Sequence, residues 1–189
     1  ADTVCSVSGE FDGQIVIDAG DDYRFELELC GVKLFCDKQN PITILSGDRV
    51  TLTAKKETKN YIYDTRDAVA EEDETSVSAA IYAKCDLVLG GKGELVVISS
   101  QNQGIHTKDD LEVKNLTLSV TCEKNALKGN DSVSILSGTL TLIARSGDGI
   151  KTKNTDLSSK GKQRGTVTVT GGTVCIDAAR DGIDAAYDV

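Results

Sequence analysis

One short pattern recurs along the C-terminal half of the chain and constrains its fold more than any other feature. It reads GIHTKDDLEV from Gly104, ALKGNDSVSI from Ala126, GIKTKNTDLS from Gly149 and GIDAAYD from Gly182. The first two steps are 22 and 23 residues, within the window where a fixed period marks stacked supersecondary units. Copies also carry two alternating apolar runs split by a small turn. Leu111 and Val113 precede Lys114-Asn115 and then Leu116, Leu118 and Val120; Val133 and Ile135 precede Ser137-Gly138 and then Leu140, Leu142 and Ala144. In the last full copy Val167 and Val169 precede Gly171-Gly172 and then Val174, Ile176 and Ala178. Period-two alternation rich in β-branched residues means strands with one buried face. A unit of about 22 residues holding two or three such strands is one rung of an all-β parallel β-helix, or β-solenoid.

The N-terminal part uses the same grammar less regularly, through Ile15 and Ile17, then Phe25, Leu27, Leu29, Val32 and Leu34, then Ile42, Ile44, Val50, Leu52 and Ala54. The expectation is a single domain over 1–189 with two loop insertions. One, near 64–78, reads DTRDAVAEEDETSVS, a charged stretch expected to bulge into solvent; the other, near 156–164, delays the last repeat. Hydrophobic residues make up 39% of the chain, enough for a solenoid in which each rung buries its apolar residues on its neighbours. No run of 18 apolar residues exists to span a membrane. A net charge of −9 argues against nucleic acid, whose phosphates need clustered Lys and Arg, and an anionic ligand would need an intervening cation such as calcium.

Six cysteines, Cys5, Cys30, Cys36, Cys85, Cys122 and Cys175, fit disulfides in an oxidising compartment, hence a secreted, extracellular or cell-surface protein. Fifteen pairings are open; Cys5 with Cys30, about one rung apart, is the first candidate. The competing reading is buried free thiols, with Cys36 facing inward like Val120, Ala144 and Ala178. A start at Ala1 and the lack of Met fit a removed signal peptide. Asn115-Leu116-Thr117 and Asn130-Asp131-Ser132 are glycosylation sequons. The chain closes on GIDAAYDV, which opens a rung with nothing after it; homotypic assembly through rung edges or solenoid ends would use such an open end.

Stacking brings matching positions together. Asp109, Asn130, Asp131 and Asn154 fall at one corner, and Asp148, Asp181 and Asp184, with Asp188, at the neighbouring one. Oxygens from adjacent rungs could converge there on a calcium ion, which takes six to eight of them. Asn and Asp also occur in tight turns because they tolerate and cap them. The residue after the buried Ile or Leu should point outward, giving a stripe of Tyr63, Tyr82, His106, Lys128, Lys151 and Asp184. Tyr offers a flat apolar face with a polar tip and Lys a donor, so this stripe is a candidate sugar-binding face, or an ordinary solvated sheet surface. His106 is the sole histidine and no motif supplies a nucleophile for it. A lyase would draw its base from Arg145 or Arg180, nearest the acidic corner. There is no CxxC, HExxH or phosphate loop.

The segments AAIYAKCDLVLGGKGELVV, GIHTKDDLEV, GDGIKTKN and TVTVTGGTVCIDAARDGIDA resemble the secreted, calcium-binding, carbohydrate-binding β-helix domains of cellulolytic clostridia, the carbohydrate-binding domain-containing proteins. The resemblance runs from about Leu27 to Asp188. It implies a right-handed parallel β-helix similar to pectate lyases, calcium at the turns, and affinity for cellulose-like or pectin-like polysaccharide. The acidic pair that commonly precedes the Gly-Ile step in that family reads Asn102-Gln103, Lys124-Asn125, Gly147-Asp148 and Arg180-Asp181 here, so at most some calcium sites survive. The expected function is non-catalytic polysaccharide binding. The alternatives are a subunit of an extracellular filament or surface layer, and a pectate-lyase-like enzyme.

Overall fold

The computed structural model describes residues 3–68 and 78–189; the alternating runs within them form strands, and no helix occurs among them. The strands are β1 (Thr3–Asp12) and β2 (Ile15–Asp18); β3 (Arg24–Cys36) and β4 (Ile42–Ser46); β5 (Arg49–Ala54), β6 (Lys59–Asp64) and β7 (Ala79–Ala83). There follow β8 (Asp86–Gly91), β9 (Glu94–Ser99) and β10 (Gln103–Thr107); β11 (Asp110–Val113), β12 (Leu116–Cys122) and β13 (Leu127–Gly129). The series ends with β14 (Ser132–Ile135), β15 (Gly138–Ala144) and β16 (Ile150–Lys151); β17 (Thr166–Val169), β18 (Thr173–Ala178) and β19 (Ile183–Asp184). The molecule is all-β, and each ladder between these strands is parallel, as the repeat predicts.

From β5 onward the strands come in threes, and each pairs with its counterpart three strands later. The result is a first ladder, β5-β8-β11-β14-β17; a second, β6-β9-β12-β15-β18; and a third, β7-β10-β13-β16-β19. Upstream, β3 joins the first ladder through Arg24–Leu29 and the second through Lys33–Cys36, β1 pairs with β3, and β2 and β4 extend the third. Side chains line up in register. Ile15, Ile42, Ile81, Ile105, Leu127, Ile150 and Ile183 form one column of the third ladder, and all but its two end members are fully buried. Each such burial stabilises by about 1.5–3 kcal/mol.

Two local devices allow this packing. At the bend of β3, Gly31 takes φ 83°, and the N–H groups of Gly31 and Val32 both donate to the buried Asn60 Oδ1 at 2.9 Å. Asn60 Nδ2 donates in turn to Glu94 O and Thr58 Oγ1, each at 3.1 Å, so a buried amide satisfies the corner where the first ladder passes into the second. The glycine of the Gly-Ile motif marks close approach. A Cβ on Gly104 would lie 2.4 Å from Val120 Cγ1, and one on Gly149 would lie 2.3 Å from Ile176 Cγ2. Ala126, fully buried, fills the equivalent place in the copy between.

The insertions differ in character. Residues 69–77, the centre of the charged stretch near 64–78, lie outside the described residues. Its root is not the expected solvated excursion: Asp64 and Arg66 are buried and form a bidentate pair at 2.7 Å, joined by Ser99 Oγ at 3.0 Å. The insertion at 156–164 is mostly exposed and closes on itself through a bridge between Leu157 and Gln163.

The cysteine expectation is corrected. All six are free. Cys5 and Cys30 do not pair, because the register of β1 on β3 sets Cys5 opposite Leu27, three residues short of Cys30. Cys36 faces inward in one column with Asp64, Ser99, Cys122, Ala144 and Ala178, while Val120 belongs to a different column. Burial pushes the Cys85 and Cys122 thiols up to about 12, so both stay protonated at neutral pH.

Candidate functional site

The outward row of the third ladder reads Thr43, Tyr82, His106, Lys128, Lys151 and Asp184. Five of the six residues expected in the stripe are therefore in register. Tyr63 is not among them: it sits on β6 in the second ladder, between Phe35 and Ile98. Nor is the row an open face. Tyr82 and His106 are 4% and 2% exposed, and Lys128 and Lys151 are half-buried. Tyr82 meets His106 edge-on at 5.8 Å, and His106 Nε2 lies 3.1 Å from Asn130 Oδ1. Among the described residues neither Tyr82 Oη nor His106 Nδ1 has a hydrogen-bond partner. Burial, aided by the charge of Lys128, pushes His106 down to about 3, so its imidazole is neutral. The expectation that the whole row points outward into solvent is corrected at Tyr82 and His106, which are buried.

The acidic candidates separate into the two corners read from the repeat. At the corner between the third and first ladders, Asp131 accepts from Asn154 Nδ2 at 2.8 Å and pairs with Arg164 Nε at 2.6 Å. Asp109 lies against Asp131. Burial first, then the charges of Asp86 and Asp131 and a hydrogen bond to Asp131, push Asp109 up to about 6. Asp86, one repeat earlier, is also raised by burial and by Asp110, although Arg49 approaches it at 3.6 Å. Asn130 offers its side-chain oxygen to His106.

The other corner lies between the second and third ladders. One carboxylate oxygen from each of Asp148, Asp181 and Asp184 comes within 4.8 Å of the others. Lys151 Nζ donates to Asp148 at 2.8 Å and also to Asp184. Burial pushes the Asp148 carboxyl up, but hydrogen bonds from Lys151 and the Asp181 N–H, with the charges of Lys151 and Arg180, outweigh burial and hold it below the usual carboxylate range. Burial opposes the Lys151 charge, and the two aspartates more than compensate, so its ammonium is held above the usual lysine range. Asp188 is exposed, its backbone oxygen taken by the Val167 N–H at 2.8 Å. Arg145 and Arg180, the lyase candidates, are both exposed, Arg180 beside Gly147 in a shallow hollow.

Three aromatic residues gather elsewhere. On the outer side of the second ladder Phe35 and Tyr63 stack with ring centroids 4.6 Å apart and planes 2° apart, and Tyr61 lies parallel to Tyr63 at 5.9 Å. All three are half-buried, and Lys59 Nζ stands 5.7 Å from the Tyr61 ring. Phe35 also lines a hollow of about 520 Å³ with Asp12, Gly13, Cys36, Asp37 and Thr65. Sequence reasoning named only Tyr63 of this group. The alternation around Val32-Leu34 and Ile62 held the signal, since it marks Phe35 and Tyr63 as outward neighbours once β3 and β6 are paired. Asp86 was also missed, although Asp86-Leu87 occupies the place of Asp110-Leu111 one repeat earlier. Of the sequon residues, Asn115 is exposed at φ 54° and Asn130 is half-buried.

Three likenesses to known proteins bear on this geometry. A protein of Acetivibrio thermocellus described as "Carbohydrate-binding domain-containing protein" is 36% identical over 110 residues, 58% of this chain. The match spans 38% of that relative, well under half its length. A solved structure titled "Structure of the polysaccharide lyase-like protein from C. thermocellum, Gadolinium derivative" superposes with a TM-score of 0.86 at 30% identity, covering 100% of this chain and 77% of that one. The sequence profile of the carbohydrate-binding domain-containing proteins matches residues 1–189. With its whole length matched, the chain belongs to the family of carbohydrate-binding domain-containing proteins.

Proposed function

We propose that this protein binds polysaccharide without cleaving it, and that its three ladders wind as a right-handed parallel β-helix. The pairing of each strand with the third one after it supports the winding. Right-handedness follows from the general rule for connections between parallel strands. The observation that carries the binding reading is the Phe35–Tyr63–Tyr61 group beside the hollow of Asp12, Asp37 and Thr65. Apolar ring surface meets the C–H face of a sugar, and carboxylates and a hydroxyl accept hydrogen bonds from its hydroxyl groups. Two carboxylates repel a uronate, so the ligand is a neutral, cellulose-like glycan in preference to a pectin-like one. Polysaccharides of this kind lie outside cells, and the reading puts the protein there too. The surroundings of His106 favour no acid–base role: it is buried and neutral, with lysine charges about it.

Calcium enters this reading at one corner. Asp109 and Asp131 hold two carboxyl groups together with Asp109 raised, a conflict that a hard divalent cation relieves by taking the place of the Arg164 guanidinium beside Asp131. The gadolinium of the similar structure is a hard cation that seeks the same donors. Calcium should raise the melting temperature, and Asp109→Asn should abolish the rise.

Retention on insoluble cellulose and on a uronate gel tests the binding reading. Phe35→Ala and Tyr63→Ala should each weaken retention on cellulose about tenfold, equivalent to 1.4 kcal/mol, while the fold persists. Binding indifferent to both substitutions, or confined to the uronate gel, would refute it. An ultraviolet-absorbing unsaturated product from uronate polymer would establish the lyase alternative.

A further inference from the structure

The residue before the Gly-Ile step changes chemistry along the chain. It is Gln103 before Gly104 and Asn125 before Ala126, then Asp148 before Gly149 and Asp181 before Gly182. Carboxylates thus enter this position in its last two repeats alone, and Asp184 joins them from β19. The three offer oxygens within 4.8 Å of one another, the arrangement in which the hard cation implied by the family resemblance would find three ligands.

That place is already taken by the chain. Lys151 Nζ donates to Asp148 Oδ2 at 2.8 Å and to Asp184 Oδ2, while Asp148 Oδ1 accepts the Asp181 N–H at 3.2 Å. Asp148 is 2% exposed, and a buried carboxylate needs a counter-charge to remain ionised. Further positive charge surrounds the spot: Lys128 is the ladder neighbour of Lys151, and Arg180 acts on Asp148 through space. A metal ion at the centre of the three carboxylates would stand in contact with an ammonium, and the two charges exclude each other.

We infer that Lys151 is the resident cation of this corner, its ammonium standing where the family resemblance implies calcium, so that the Asp148–Asp181–Asp184 group is closed to metal. The residues present therefore do not fit a bound calcium there. The inference does not depend on the glycan reading. Its chemistry is a lysine carried by the repeat itself: the position after the buried Ile or Leu is Lys128, then Lys151, then Asp184, so anion follows cation along one row.

Metal counting by equilibrium dialysis with terbium, together with thermal melting in calcium or chelator, tests it. The wild type should gain no stoichiometry from this corner, and Asp148→Asn in the wild-type background should leave its terbium count unchanged. Lys151→Met should bind one additional terbium per chain, melt lower in chelator and recover in millimolar calcium. Lys151→Arg keeps the charge and should gain no site, and adding Asp148→Asn to Lys151→Met should remove the gained one. The inference is overturned if Lys151→Met binds no more terbium than the wild type, or if Asp148→Asn lowers the wild-type count. It is equally overturned if Lys151→Met stays unfolded in calcium, because the metal then does not replace the ammonium.

Discussion

Single side chains in this protein are governed by what burial does to charge. His106 lies at about 3 in the folded chain against an ordinary 6.5, with burial first among the causes and Lys128, Lys108 and Lys153 adding to it. Between those values the unfolded chain holds the extra proton, so stability falls as pH drops from about 6.5 towards 3, by up to about 1.4 kcal/mol per pH unit. Asp109 acts in the opposite sense, holding its proton up to about 6 when folded and releasing it lower when unfolded. The comparison that isolates the histidine is therefore between wild type and His106→Gln, whose urea midpoint should fall less steeply between pH 6.5 and 4.5. Parallel profiles would mean that His106 takes its proton in the native state. Asp64 is the second case. Asp64→Ala strands the Arg66 guanidinium in the interior and should cost about 3–5 kcal/mol in urea unfolding, and Asp64→Ala with Arg66→Met should recover much of it.

Strands and corners in this chain are limited by space. At Gly104 the third ladder passes so close to the second that an added methyl group would overlap Val120 Cγ1, 2.4 Å away. Gly104→Ala should therefore destabilise by about 1–3 kcal/mol, the usual range for overpacking, whereas the same change at Gly182, with nothing within 4 Å of a built Cβ, should be close to neutral. Ile105, fully buried between Ile81 and Leu127, gives the opposite defect: Ile105→Ala opens a cavity and should cost about 2–5 kcal/mol. Chemical denaturation of the three variants separates crowding from cavity formation.

Across the whole molecule, cohesion runs along the ladders, because each repeat packs chiefly on the one before and the one after it. The apolar members of the middle repeats are fully buried, while Val7, Phe11 and Ile15 at one end and Val174, Ile176 and Ile183 at the other are only partly so. Amide hydrogen exchange should accordingly be slowest in β8, β9, β11, β12 and β15 and quicken towards β1 and β19. Uniform protection over all strands would show that the molecule opens as one unit instead.

Much of this was legible in the letters alone. The period placed Ile105, Leu127 and Ile150 in one column, separated the acidic residues into two neighbouring corners, and set Tyr82, His106, Lys128, Lys151 and Asp184 in one row, because strand alternation is local and a repeat carries it from copy to copy. Tyr63 was misplaced for a related reason. Ile62-Tyr63 resembles Ile81-Tyr82 letter for letter, but the irregular spacing of the early repeats puts Ile62 in the second ladder and Ile81 in the third. Alternation tells which side chains leave the interior; it does not tell what covers them afterwards. The burial of Tyr82 and His106, the Asp64–Arg66 pair inside a stretch that reads as solvated, the unbridged cysteines, and the seat of the Lys151 ammonium among three aspartates all depend on groups distant in sequence. Only the tertiary structure decided them, because desolvation and charge pairing are set by neighbours in space rather than by neighbours along the chain.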